Sequence, residues 1–145
     1  MTYANSRVAV NQYAQVDTYS AISGADSHRL VLMLMDGALG KIAVARGGME
    51  RNDLAAKGMA IGQAISNIDG LRSSLDLDAG GELAVNLDRL YDYMVRRLTE
   101  ANIHNDASML EEVAGLLNDI RAGWESIPVE LRGGASEPRQ AVAGG

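Results

Sequence analysis

The sequence predicts an all-α protein: an antiparallel four-helix bundle with a short mobile N-terminal arm and a disordered C-terminal tail. Three observations predict it. Apolar residues recur at intervals of three and four through four segments of about twenty residues each, which lines each set along one side of an α-helix. Short turns bearing polar residues and glycine separate the segments. No stretch shows the strict alternation of a half-buried strand. Helices of that length, each roughly 30 Å long and joined by short turns, pack best antiparallel. The division that follows is an arm over 1–25, a four-helix domain over 26–127 and a tail over 128–145.

In chain order, the arm carries Tyr3, Tyr13, Tyr19, several valines and Ile22 among polar residues. That is enough apolar content to dock but too little to fold alone. The first helix is expected from about Ser27 to Arg46, with Asp26 as its cap and Gly47-Gly48 as its end. The second is expected from about Asp53 to Leu75, capped by Asn52, with Leu54, Ile61, Ile65, Ile68 and Leu75 inward. A polar, glycine-bearing turn follows over Asp76 to Gly81. The third is expected from Glu82 to His104, with the stripe Leu83, Leu87, Leu90, Met94, Leu98 and Ala101. Asn105 is read as the cap of a fourth, from Asp106 to about Ser126, with Leu110, Val113, Leu117, Ile120, Trp124 and Ile127 inward. Leu83, Leu87, Leu90, Leu117, Ile120 and Trp124 are the expected core. The stretch after Pro128, VELRGGASEPRQAVAGG, is rich in Gly and small residues and is expected to be disordered.

Composition removes several function classes. The 145 residues fit one domain with a single core. There is no cysteine, which excludes a disulfide scaffold and thiolate metal sites and fits a reducing compartment. A formal net charge of −6 with well-mixed charges disfavours a nucleic-acid surface and a basic membrane-surface helix. The longest apolar run, Leu30 to Met35, is far short of the roughly twenty residues that cross a bilayer. Nothing near the start reads as a secretory signal. These features describe a cytoplasmic protein with no nucleic-acid partner and no membrane insertion.

Catalysis needs convergent groups, and the chain offers few. His104 follows Glu100 by four residues, so the two could share a helical face, but a di-metal bundle wants two Glu-x-x-His pairs and the chain has none. His104 is better read as stabilised by the helix dipole. Arg96 and Arg97 could bind an anion, yet Asp92, Arg96 and Glu100 are spaced for ion pairs within the helix. Gly80-Gly81-Glu82 lacks the preceding strand and the Gly-Lys-Ser/Thr of a phosphate loop. The sequence therefore points to no enzyme, no cofactor and no metal.

What the helices do offer is apolar surface. Leu30 to Met35 covers every direction around the first helix, so Leu32 and Met35 call for cover by the arm or by a partner. In the third helix Ala84, Tyr91 and Val95 form a shoulder beside the main stripe, which the broad face of a bundle helix would also require, while Tyr93 falls on the opposite flank. Gly37, Gly40, Gly58, Gly62, Gly70, Gly115 and Gly123 all lie inside expected helices, where each costs up to about 1 kcal/mol relative to alanine. Close helix packing explains such residues, and so does a surface on which a partner backbone lies close. Methionines at 33, 35, 59, 94 and 109 add adaptable apolar area. An amphipathic segment laid into an apolar groove is the recognition mode these features suit.

The order Ser74-Leu75-Asp76, Gly80-Gly81-Glu82, Asn86-Leu87, Leu90-Tyr91-Asp92-Tyr93-Met94 and Arg96-Arg97-Leu98 resembles the FliS family of flagellin export chaperones. Asn11-Gln12-Tyr13, Leu34-Met35-Asp36-Gly37-Ala38, Asn105-Asp106, Glu111-Glu112-Val113 and Trp124 follow in the family's order, from Asn11 to Ile127. Met35 stands where the family usually has an aromatic, and Asp26-Ser27 where it often has Ser-Pro. The resemblance implies a chaperone that binds the C-terminal segment of flagellin, blocks premature polymerisation and delivers the cargo to the flagellar type III export apparatus. It also implies an arm that covers part of the groove until cargo displaces it, with Tyr13 linked to an export-gate component. Leu32, Met35, Tyr91, Tyr93 and Arg97 are the candidate cargo contacts. The rival reading is a self-associating structural or adaptor bundle with another partner. A monomer or weak homodimer fits either.

Overall fold

The computed structural model describes residues 24–128, with side chains from Ser27 onward. The arm with Tyr13 and the tail beyond Pro128 lie outside the described residues. Four helices make an antiparallel four-helix bundle: α1 (Gly24–Glu50), α2 (Leu54–Ser73), α3 (Leu77–His104) and α4 (Ala107–Glu125). No strand occurs among the described residues.

The core lies in the compact unit Leu34–Asp119. From α1 it takes Leu34, Met35, Ala38, Ile42, Ala45 and Met49, a run of steps of one, three and four that keeps to one side of the helix. Ala60, Ile61, Ala64, Ile68 and Leu71 face it from α2; Tyr91, Met94, Leu98 and Ala101 from α3; Leu110, Val113 and Leu117 from α4. A second unit pairs the start of α1 with the end of α4.

Helix boundaries differ from expectation in an instructive way. α1 starts at Gly24, so Asp26 lies inside it rather than capping it. It also runs through Gly47-Gly48 to Glu50. Gly48 is needed for close approach instead: a Cβ there would lie 3.0 Å from the backbone nitrogen of Lys57 and 3.2 Å from the carbonyl of Asp53. Neither Asn52 nor Asn105 caps the helix that follows. Both take positive φ, 58° and 53°, and close the helix before them. The next residue then caps: Asp53 accepts from the Ala56 amide at 3.0 Å, and Asp106 from the Ser108 amide at 2.8 Å. In both turns the aspartate's own amide reaches back five residues, Asp53 to Gly48 at 2.8 Å and Asp106 to Ala101 at 3.0 Å.

The expected turn over Asp76 to Gly81 becomes one helical turn capped by Asp76, which accepts from the Ala79 amide at 2.9 Å, followed by a break at Gly81 with φ 58° and ψ −140°. This conformation suits glycine alone. Only Ala84 is buried over the next two turns, so Leu83, expected in the core, is 69% exposed. Leu54, expected inward on α2, is 62% exposed. Leu87, Leu90, Ile120 and Trp124 are half-buried, and Leu117 is fully buried.

Candidate functional site

The expected contacts separate into buried and accessible groups. Met35 (1% exposed) and Tyr91 (2% exposed) belong to the core, so neither offers surface. Met35 follows Leu34 onto the inward side of α1, and the apolar cover expected to be missing for it comes from within the fold. Burial also pushes the Tyr91 hydroxyl up to about 12. Leu32 is half-buried and its neighbour Met33 is exposed.

Tyr93 and Arg97, one turn apart on α3, come together on Glu112 of α4. The Tyr93 hydroxyl donates to Glu112 Oε2. Arg97 donates through Nε to Glu112 Oε1 at 2.9 Å and through Nη1 to Glu100 Oε1 at 2.9 Å. Its guanidinium carbon lies 5.9 Å from the Tyr93 ring centre, within cation–π range. The hydrogen bond from Tyr93, with that from Arg97, holds the Glu112 carboxyl below the usual range, and the same bond raises Tyr93. Arg96 pairs with Asp92 at 3.1 Å as its spacing predicts, while Glu100 goes to Arg97. The result is a polar bridge between α3 and α4 with an aromatic ring at its edge.

A groove of ≈ 510 Å³ runs between α1 and α4. Leu39, Ile42 and Ala43 line it from α1, and Leu110 and Ala114 from α4. Across it, Arg46 Nη2 meets Glu111 Oε2 at 2.7 Å, and Arg46 Nε lies 3.8 Å from Glu50. Sequence reasoning did not find this groove, because it depends on which helices become neighbours. Glu112 was legible only as part of a family run.

Lys57 was also missed. It is 6% exposed, and its ammonium donates to the Asn102 carbonyl at 3.1 Å and to Asn105 Oδ1 at 3.0 Å, satisfying acceptors at the end of α3. Among the described residues no group of three His, Asp or Glu side chains could hold a metal ion, and no helix is long and apolar enough to cross a membrane.

Residues 9–130 match the family described as flagellar protein FliS. The chain belongs to the FliS family. It is 52% identical over 119 residues to the flagellar secretion chaperone FliSB of Pseudomonas aeruginosa, covering 82% of this chain and 94% of that protein. It is 49% identical over 119 residues to the flagellar secretion chaperone FliS of Salmonella typhimurium, covering 81% and 88%. The FliS chaperone of Vibrio cholerae is 38% identical over 124 residues, covering 86% and 91%. The family match spans all four helices, and with them both the polar bridge and the groove.

Proposed function

We propose that this protein is a cytoplasmic, non-enzymatic export chaperone that binds the C-terminal segment of flagellin, keeps it from polymerising early and hands it to the flagellar type III export apparatus. The observation that carries the reading is the FliS membership, at about half identity to proteins named flagellar secretion chaperones. The geometry supports it. Large apolar side chains stay exposed on every helix-bearing surface but α4: Met33 and Val44 on α1, Leu54 and Met59 on α2, Leu77, Leu83 and Ile103 on α3. A segment that is unfolded until assembly exposes apolar, helix-prone sequence that such a surface would cover. Cargo contact falls to Leu32, Tyr93 and Arg97, with Met35 and Tyr91 supporting them from the core. Tyr13 remains the arm residue proposed to act at the export gate.

The test is a pull-down with flagellin and with flagellin lacking its last forty or so residues, a length that exceeds two ordinary helices. Full-length flagellin is retained and the truncated form is lost. Equal retention of both would overturn the reading.

A further inference from the structure

We propose that His28 and Trp124 form a latch: the helix ends they join, 24–33 of α1 and 120–128 of α4, open together as one cooperative unit while the core from Leu34 to Asp119 stays folded, and opening uncovers Leu30, Val31 and Leu32.

Apolar burial stops short of these ends. The buried apolar side chains begin at Leu34 on α1 and finish at Leu117 on α4. Over 27–33 and 120–128 the only buried residue is His28; Leu30, Val31, Leu32, Ile120, Trp124 and Ile127 are half-buried and Met33 is exposed. The division of the chain into two compact units falls at the same places, between Met33 and Leu34 and between Asp119 and Ile120. A region with little buried apolar area opens at lower cost than the core beside it in sequence.

What holds this end is polar and reciprocal. The Trp124 carbonyl belongs to the last turn of α4 and has no partner four residues on within the helix. It takes His28 Nε2 at 2.7 Å and the Ile127 amide at 3.2 Å. The Trp124 indole donates in return to the His28 carbonyl at 3.0 Å, and the two rings stack between the helices. Each residue thus offers a ring donor and a backbone acceptor to the other. Displacing either backbone breaks both bonds and the stack at once, so the two ends are coupled. Gly123 lies in the same turn of α4, where an added Cβ would meet nothing within 4 Å, and glycine inside a helix favours unwinding. The apolar run of α1 is divided accordingly: Leu34 and Met35 belong to the core, and Leu30 to Leu32 depend on the latch.

Amide exchange of the full-length protein, read by NMR at stepped urea below the unfolding midpoint, tests the latch. Amides of 28–33 and 124–127, whose helical acceptors lie within the same two ends, are expected to share one protection level, about tenfold or more below that of Ile42, Leu98 and Val113, with a shallow urea dependence. Trp124→Phe is expected to speed exchange by the same factor in both ends, about fivefold for one lost hydrogen bond. Gly123→Ala is expected to slow both ends together. Gly58→Ala, on α2 where a Cβ also meets nothing within 4 Å, is expected to slow the core and leave both ends at the parent's rate, because the ends open with α2 still folded. Ends that are protected as the core is, or that follow Gly58→Ala, overturn the proposal. So does a response to Trp124→Phe or Gly123→Ala confined to α4.

Discussion

His28 and Trp124 exchange hydrogen bonds between side chain and backbone. The Trp124 indole Nε1 donates to the His28 carbonyl at 3.0 Å, and His28 Nε2 lies 2.7 Å from the Trp124 carbonyl. A carbonyl only accepts, so Nε2 carries the hydrogen. The rings stack with centroids 5.0 Å apart and planes 11° from parallel, and His28 is only 5% exposed. This pair ties the second turn of α1 to the last turn of α4. Trp124→Phe keeps an aromatic face but removes the indole donor, and is expected to lower the unfolding free energy by about 1 kcal/mol. Urea unfolding followed by circular dichroism measures it, and an unchanged midpoint would mean the bond adds nothing.

Lys57 acts as a buried cap on α3. Its replacement by methionine preserves much of the apolar stem but strips donors from the Asn102 carbonyl and Asn105 Oδ1. Leaving such acceptors unpaired costs about 1–3 kcal/mol. Lys57→Met is therefore expected to unfold at lower urea, with amide exchange rising in the last turn of α3. A variant as stable as its parent would show that water replaces the ammonium without penalty.

Two glycine substitutions should move stability in opposite directions. Gly48→Ala pushes a methyl against α2 backbone that cannot rotate away, at 3.0 Å from the Lys57 nitrogen, and overpacking of this kind costs about 1–3 kcal/mol. Gly58→Ala enters open space and gains up to about 1 kcal/mol from helix propensity. Melting temperatures of the two variants check both signs. Equal shifts would mean that the turn between α1 and α2 relaxes to admit a side chain.

The periodic stripe of α4 was legible from spacing alone, since Leu110, Val113 and Leu117 are buried where the three-four pattern puts them. Spacing gives direction around a helix but not what covers each turn, which is why Leu83 and Leu54 read as core and stand exposed. Asn52 and Asn105 misled because asparagine suits both a left-handed helix end and a helix start. The aspartate after each decides the matter, and its side chain settles on the next helix. Lys57 and the α1–α4 groove were hidden because each depends on residues far apart in sequence meeting in space. Lys57 and Asn105, for instance, are 48 positions apart.

Tyr91 gives stability a dependence on alkaline pH. Burial raises its hydroxyl from 10.0 to about 12 in the folded state. Between those values the unfolded chain has lost the proton while the folded chain retains it, so unfolding releases a proton and is favoured by rising pH. The contribution is therefore complete below pH 10 and is lost as pH climbs toward about 12. Tyr91→Phe has no proton to lose. Relative to the parent it is expected to show a shallower fall in stability over that window, measured by urea unfolding at stepped pH. Parallel curves for parent and variant would mean that Tyr91 does not carry the alkaline loss.

Tyr93 offers the sharpest separation of binding from folding. Its ring is partly exposed beside Arg97, and its hydroxyl is held by Glu112, which Arg97 also grips. Tyr93→Ala leaves the Arg97–Glu112 pair in place at 2.8 Å, so the link from α3 to α4 survives and melting should change little. Cargo would lose an aromatic contact, and partly exposed aromatic anchors at interfaces commonly account for a tenfold change in affinity, about 1.4 kcal/mol. The acid limb supplies an independent check. Glu112 sits below its ordinary value of 4.5, so it stabilises the fold above that pH and the contribution is lost as pH falls through its lowered folded value. Removing the tyrosine hydroxyl, the first cause of that lowering, should weaken the acid dependence in Tyr93→Phe while the ring continues to serve cargo. If Tyr93→Phe binds as poorly as Tyr93→Ala, the hydroxyl and its hold on Glu112, rather than the aromatic face, are what cargo reads; if both bind as the parent does, Tyr93 is no part of the contact.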